Sequence, residues 1–166
     1  MVKIRASVIG CGRMGAFTSQ QVRSHAPKCW FPLSHIEAIK INNDLKIEAV
    51  CDKSKEALDK VKKKFKIQNC YRSFGQMIKN HTNEIICIAT RTNEKLNIVK
   101  LATKKGVKYF HIEKPLCNST DELRQYKRLA KFGSVFTYGA IRRYMKPYLD
   151  AKRIIDCQKL GKLMHI

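Results

Sequence analysis

The chain has 166 residues, 44% apolar and 28% charged, enough for one well-buried domain and too few for two of ordinary size. Its composition is that of a soluble globular protein, and no apolar run approaches the roughly 18 to 20 residues of a membrane-spanning helix. The formal net charge of +21 attracts phosphates of any kind, but it is dispersed along the chain without a recognition helix, zinc finger or aromatic-basic signature, so a nucleic-acid partner is not expected.

Residues 3–9 end in Val8-Ile9 and read as a first strand, followed at once by Gly10-Cys11-Gly12-Arg13-Met14-Gly15 and by a helix over 16–23. Residues 24–33, which hold Pro27, Cys29, Trp30 and Pro32, read as a loop inserted into the first crossover and placed to close over a substrate. Ser34 then caps a helix carrying Ile36, Ala38, Ile39 and Ile41. The second strand spans 45–51 and ends at Asp52. Ser54 caps a helix whose Leu58, Val61 and Phe65 sit at i, i+3 and i+7. A third strand over 69–72, a helix over 74–79 and a fourth strand over 84–90 follow. A helix over 93–105 buries Leu96, Val99 and Ala102 and stops at Gly106. The fifth strand, 107–112, runs into Glu113-Lys114-Pro115, and Ser119 with Thr120, Asp121 and Glu122 opens an acidic helix start suited to the positive helix end. A sixth strand over 134–138 precedes a final helix over 142–160, with Tyr148, Ala151 and Ile155 on one face.

Strands alternating with helices argue for an α/β fold with a doubly wound parallel sheet of six strands, occupying 1–161. Residues 162–166 read as the first strand of a second α/β domain that is absent from this chain. The seven cysteines show neither a CxxC pair nor metal-ligand spacing, so no metal site is expected and they read as small buried residues of a reducing compartment. Gly10, Gly12 and Arg13 interrupt the N-terminal apolar stretch before a signal-peptide core forms, which makes the cytoplasm the expected location.

Between a strand and a helix, the GxGxxG of Gly10, Gly12 and Gly15 is the pattern of a Rossmann dinucleotide site. The first glycine permits the tight turn, the second lets a pyrophosphate approach the backbone, and the third lets helix and strand pack closely. Arg13 and Met14 lie within the loop, whose N–H groups would hold the phosphates. Asp52, at the end of the second strand, is placed to accept from the adenosine ribose, although the inserted loop puts it well beyond the usual ~20 residues from the glycines. It favours NAD. Lys53 beside it is a cation able to receive a 2′-phosphate, so NADP stays open.

With the glycine loop and Asp52, Glu113-Lys114-Pro115-Leu116 resembles the glucose-fructose oxidoreductase, inositol dehydrogenase and rhizopine catabolism family (Gfo/Idh/MocA) from Val2 onward. The resemblance implies an NAD(P)-dependent oxidoreductase that moves hydride to or from a hydroxyl-bearing carbon of a sugar, cyclitol or nucleotide-linked sugar. It places Glu113 and Lys114 at the nicotinamide ribose, with Lys114 as the catalytic group able to stabilise a developing alkoxide. The family's Ala-Thr-Pro-Asn-x-x-His segment is kept here only as Ala89-Thr90, with Arg91, Thr92 and Lys95 replacing the proline, asparagine and histidine; Thr90 is carried over as a cofactor contact. Arg142-Arg143-Tyr144 resembles the family's Asn-x-Arg-Phe/Tyr, with Ile141 in place of the asparagine, and gives Arg143 as a further cofactor or substrate contact.

Family members take the aspartate and histidine of proton transfer from the second domain. His165 falls in its first strand, and His25, His35, His81 and His111 have no partnered acid in the motif and read as structural. The 166 residues are therefore expected to bind cofactor without turning over substrate, and a full-length form to be a homo-oligomer. The alternative reading is a non-catalytic dinucleotide sensor of the same fold.

Overall fold

The computed structural model describes residues 2–164. Six parallel strands form one sheet: β1 (Ile4–Ile9), β2 (Leu45–Cys51), β3 (Cys70–Tyr71), β4 (Ile85–Ile88), β5 (Tyr109–Ile112) and β6 (Val135–Tyr138), in the spatial order β3-β2-β1-β4-β5-β6. This is the Rossmann order. It reverses direction between β1 and β4, whose residues pair in register from Ala6 with Ile85 to Ile9 with Ile88. The crevice beyond the carboxyl ends of these two strands is where such sheets bind ligands.

Helices cover both faces, as parallel sheets require. On one face, α2 (His35–Ile41) and α3 (Lys55–Phe65) bury Ile36, Ile39, Leu58, Val61 and Phe65 against Ala6, Val8 and Val50. On the other, α4 (Phe74–Asn80), α5 (Thr92–Lys104) and α6 (Thr120–Lys131) pack Met77, Ile78, Leu96, Val99, Ala102 and Tyr126 against Ile9, Ile86, Ile88, Phe110 and Ile112. The serines expected as caps do cap: Ser34 accepts from the Glu37 N–H, Ser54 from that of Ala57 and Ser119 from that of Glu122.

Two helices depart from expectation. The helix expected over 16–23 is reduced to one turn after the glycines, where Gly12 O accepts from both Ala16 and Phe17 N–H, and a short α1 (Gln20–His25) follows. The chain leaves the helical path because Thr18 Oγ1 donates to Leu33 O at 2.8 Å and folds the inserted segment back on itself. The final helix is a 3-10 turn over Ile141–Tyr144 followed by α7 (Lys146–Asp156), and none of its residues is buried, so Tyr148, Ala151 and Ile155 do not form a core stripe. Residues 162–164 carry no strand, and His165 and Ile166 lie outside the described residues. Among the described residues no helix is long and apolar enough to cross a membrane.

Candidate dinucleotide site

The three glycines of the loop face three different surroundings. Gly10 adopts φ +95°, and a side chain there would meet the Ala89 carbonyl at 2.7 Å. At Gly15 a Cβ would sit 1.7 Å from Gly10 O, so only a glycine lets the turn close against the strand. A Cβ at Gly12 would meet nothing within 4 Å. Position 12 thus opens to solvent, the condition for a ligand to lie against its backbone. Among the described residues, the N–H groups of Gly12, Arg13, Met14 and Gly15 have no hydrogen-bond acceptor, whereas those of Gly10 and Cys11 are taken by Cys51 O and Asp52. Four free donors at the start of a helical turn form a cradle for an anion. The pyrophosphate of a dinucleotide fits it.

Asp52 joins this loop to the second strand. Its Oδ2 accepts from the Cys11 N–H at 2.6 Å and its Oδ1 from the Ser54 N–H at 2.9 Å. Each oxygen keeps a lone pair for a hydroxyl donor. Burial, reinforced by the Asp52 charge, pushes the Cys51 thiol up to about 12 and raises the Cys11 thiol as well, so both stay protonated and inert. Lys53 is exposed, but its ammonium pairs with Glu94 on α5, which draws the cation across the crevice and offsets its charge.

The Glu113-Lys114-Pro115 turn sits where β5 ends, pinned by the Glu113 N–H donating to Ile88 O at 2.9 Å. Lys95, which stands where the family pattern has a histidine, is 1% exposed; its ammonium donates to the carbonyls of Glu113 and, at 2.7 Å, of Pro115. Burial pulls its pKa below the usual lysine range, with Glu113 opposing that shift. A lysine on the buried stripe of a helix, four residues before Val99 and seven before Ala102, was the available signal. Lys114 is exposed at the mouth of the turn.

Beside the turn lies a cavity of about 440 Å³. Arg13 and Met14 of the glycine loop, Trp30 and Pro32 of the insertion, Ser34, His35, His111, Glu113, Gly139 and Arg142 are among its lining residues. Trp30 and Pro32 thus bring the insertion to one wall of this space. His35 is held there because the first amides of α2 dock on the glycine loop: His35 N–H donates to Met14 O at 2.9 Å and Ile36 N–H to Gly15 O at 3.0 Å. His35 Nε2 then lies 3.3 Å from Glu113 Oε1, and the His35 ring meets the edge of His111 at 5.0 Å. Burial pushes the Glu113 carboxyl up, but His35 and His111 outweigh it and hold it below the ordinary carboxylate value. Burial and His35 push the His111 imidazole down, against Glu113.

Most expected site residues are thus brought together. Gly10, Gly12, Arg13, Met14 and Gly15 adjoin Asp52, and the Thr90 backbone abuts Gly10. Glu113 lines the cavity, and Lys114 follows it, exposed on the same turn. Arg143 does not converge: it is exposed on the 3-10 turn, and its neighbour Arg142 lines the cavity instead. Two of the histidines have acid partners that the motif does not show: His35 faces Glu113, and His81 pairs with Glu48 at 2.9 Å at the far end of the sheet.

Residues 4–138 match the model of an oxidoreductase family with an NAD-binding Rossmann fold. Over 160 residues the chain is 24% identical to myo-inositol 2-dehydrogenase of Thermotoga maritima, covering 96% of this chain and 42% of that protein. It is also 24% identical over 161 residues to scyllo-inositol 2-dehydrogenase (NAD(+)) of Bacillus subtilis, with the same coverage of 96% and 42%. The fold superposes with a TM-score of 0.77, at 18% identity, on the crystal structure of scyllo-inositol dehydrogenase from Lactobacillus casei with bound NAD(H) and scyllo-inositol, covering 96% of this chain and 43% of that one. The chain thus spans about two fifths of the length of these relatives.

Proposed function

The chain belongs to the Gfo/Idh/MocA family of oxidoreductases, and from that premise we propose that it is the cofactor-binding part of an NAD-dependent dehydrogenase acting on a cyclitol. The observation that carries this reading is the cradle of free N–H groups at Gly12, Arg13, Met14 and Gly15, roofed by no side chain at Gly12 and bordered by Asp52.

Those amides hold the pyrophosphate, Asp52 accepts from the adenosine ribose, and Thr90 lines the groove between them and the Glu113 turn. NAD, when bound, supplies the acceptor for hydride. Asp52 repels a 2′-phosphate and Glu94 occupies the Lys53 ammonium, which together favour NAD over NADP. Lys95 fixes the carbonyls of Glu113 and Pro115, so Lys114 projects from a rigid turn at the reacting end, where an ammonium stabilises a developing alkoxide. The cavity edged by Trp30, Pro32 and Arg142 offers apolar walls with few polar groups, the usual make-up of a small-molecule site. A cyclitol suits the naming of the relatives; a sugar or nucleotide-linked sugar is the wider class.

The test is a titration of myo-inositol and scyllo-inositol into the protein saturated with NADH. Saturable cyclitol binding that weakens in Lys114→Met supports the reading, and cofactor binding with no response to any polyol contradicts its substrate half.

A further inference from the structure

His35, His111 and Glu113 come from three separate points of the fold, the start of α2, the middle of β5 and the turn after it. Each offers a ligand atom within 4.8 Å of the other two. All three line the cavity, and the His35 and Glu113 side chains are only 11% and 8% exposed.

The state of each nitrogen follows from its neighbours. Thr137 Oγ1 lies 3.3 Å from Phe110 O and 2.8 Å from His111 Nδ1. With the hydroxyl proton on the Phe110 carbonyl, Thr137 accepts from His111 Nδ1–H, the tautomer that leaves Nε2 with a bare lone pair for a metal. A histidine held through its other nitrogen in this way is the usual support of a metal ligand. His35 Nε2 is buried and makes no aligned hydrogen bond, a condition that asks for a partner. Its 3.3 Å separation from Glu113 Oε1 is already the edge of a tetrahedral site, since ligands at about 2.0 to 2.1 Å from zinc lie about 3.3 Å apart. The Glu113 carboxylate occupies the space beside Gly139 that a side chain there would fill, 2.8 Å from where a Cβ would stand.

We propose that His35, His111 and Glu113 form a binding site for one divalent cation of the zinc type, whose remaining position faces the cavity and takes an oxygen ligand. Two imidazoles and one carboxylate suit zinc rather than magnesium or calcium, which take all-oxygen shells. The rival is a buried histidine-carboxylate contact that binds no metal. The site shares Glu113 and the cavity with the cofactor reading, but zinc titration in the absence of NADH tests it separately from dinucleotide binding.

The test uses the full chain with the exposed Cys29 and Cys157 changed to Ser, to remove surface thiolates that would capture zinc. Calorimetric titration with zinc chloride should give one equivalent, with the dissociation constant raised at least about tenfold by His35→Ala or His111→Asn, and by Thr137→Val through the lost support of His111. Cobalt(II) gives a second readout on the unaltered site, with visible bands of a four- or five-coordinate nitrogen-oxygen shell. NADH titration and circular dichroism of the same samples show whether each variant is folded. No saturable zinc binding, unchanged affinity in folded His35→Ala and His111→Asn, or a cobalt-thiolate charge-transfer band placing the metal on the remaining cysteines would overturn the proposal.

Discussion

The Asp52 carboxylate accepts the backbone N–H of Cys11 at 2.6 Å, and through that bond the end of β2 is tied to the glycine loop after β1. The same carboxylate receives the Ser54 N–H that opens α3, so one side chain sets both the loop and the helix start. In Asp52→Asn the amide turns an NH₂ toward one of these two donors. Hydrogen bonds to a charged acceptor are worth roughly 1.5 to 3 kcal/mol, and part of that survives in the neutral amide, so urea denaturation should show a loss of about 1 to 2 kcal/mol. NADH affinity should fall about tenfold, equivalent to about 1.4 kcal/mol.

Cofactor choice should respond to a residue that does not touch the loop. Glu94 on α5 engages the Lys53 ammonium, and Glu94→Gln releases that cation beside Asp52. Exposed ion pairs are worth up to about 1 kcal/mol, so NADPH affinity should rise about two- to fivefold relative to NADH. Dissociation constants for both cofactors, in both proteins, check this. A ratio that does not move would show that Lys53 plays no part in discrimination.

Lys95→Met keeps the stem and removes the ammonium from the carbonyls of Glu113 and Pro115. Two carbonyls lose their charged donor, while one buried charge is relieved, so the net loss should be about 1 to 3 kcal/mol. The Glu113-Lys114-Pro115 turn should loosen before the sheet does, and amide exchange at Glu113, whose N–H is held by Ile88 O, is the local measurement.

His111 gives the acid side of the stability curve a defined sign. Burial and His35 hold its folded pKa below the ordinary 6.5, so between those values the unfolded chain binds the extra proton. Stability from this group is complete above about pH 6.5 and is lost as pH falls through the folded value. Asn in place of His111 keeps a donor for Thr137 and cannot titrate, so its stability should change less than that of the parent protein as pH falls below 6.5.

What was legible in the sequence is what depends on local pattern. Ser34, Ser54 and Ser119 announced their helices because a capping hydroxyl needs only the next three residues, and Gly10, Gly12 and Gly15 announced the loop because backbone geometry leaves no other residue for Gly10 or Gly15. The contacts missed are those between distant segments. His35 meets Glu113 only because the turn after the glycines ends early and α2 docks its first amides on Met14 O and Gly15 O. Nothing near either residue announces that docking. At the other end of the cavity, the segment that reads as the start of a helix is a 3-10 turn over Ile141–Tyr144, in which Arg142 lines the cavity and Arg143 is exposed.

The central claim is that Gly12, Arg13, Met14 and Gly15 cradle a dinucleotide, and calorimetric titration of NADH into the parent protein and into Gly12→Val tests it most directly. A Cβ at position 12 meets no protein atom within 4 Å, so the variant should keep the parent's thermal midpoint while its added bulk fills the space the pyrophosphate needs. The account predicts saturable binding at one site per chain in the parent and none in the folded variant. Absence of binding in the parent, or equal affinity in the two proteins, would contradict it.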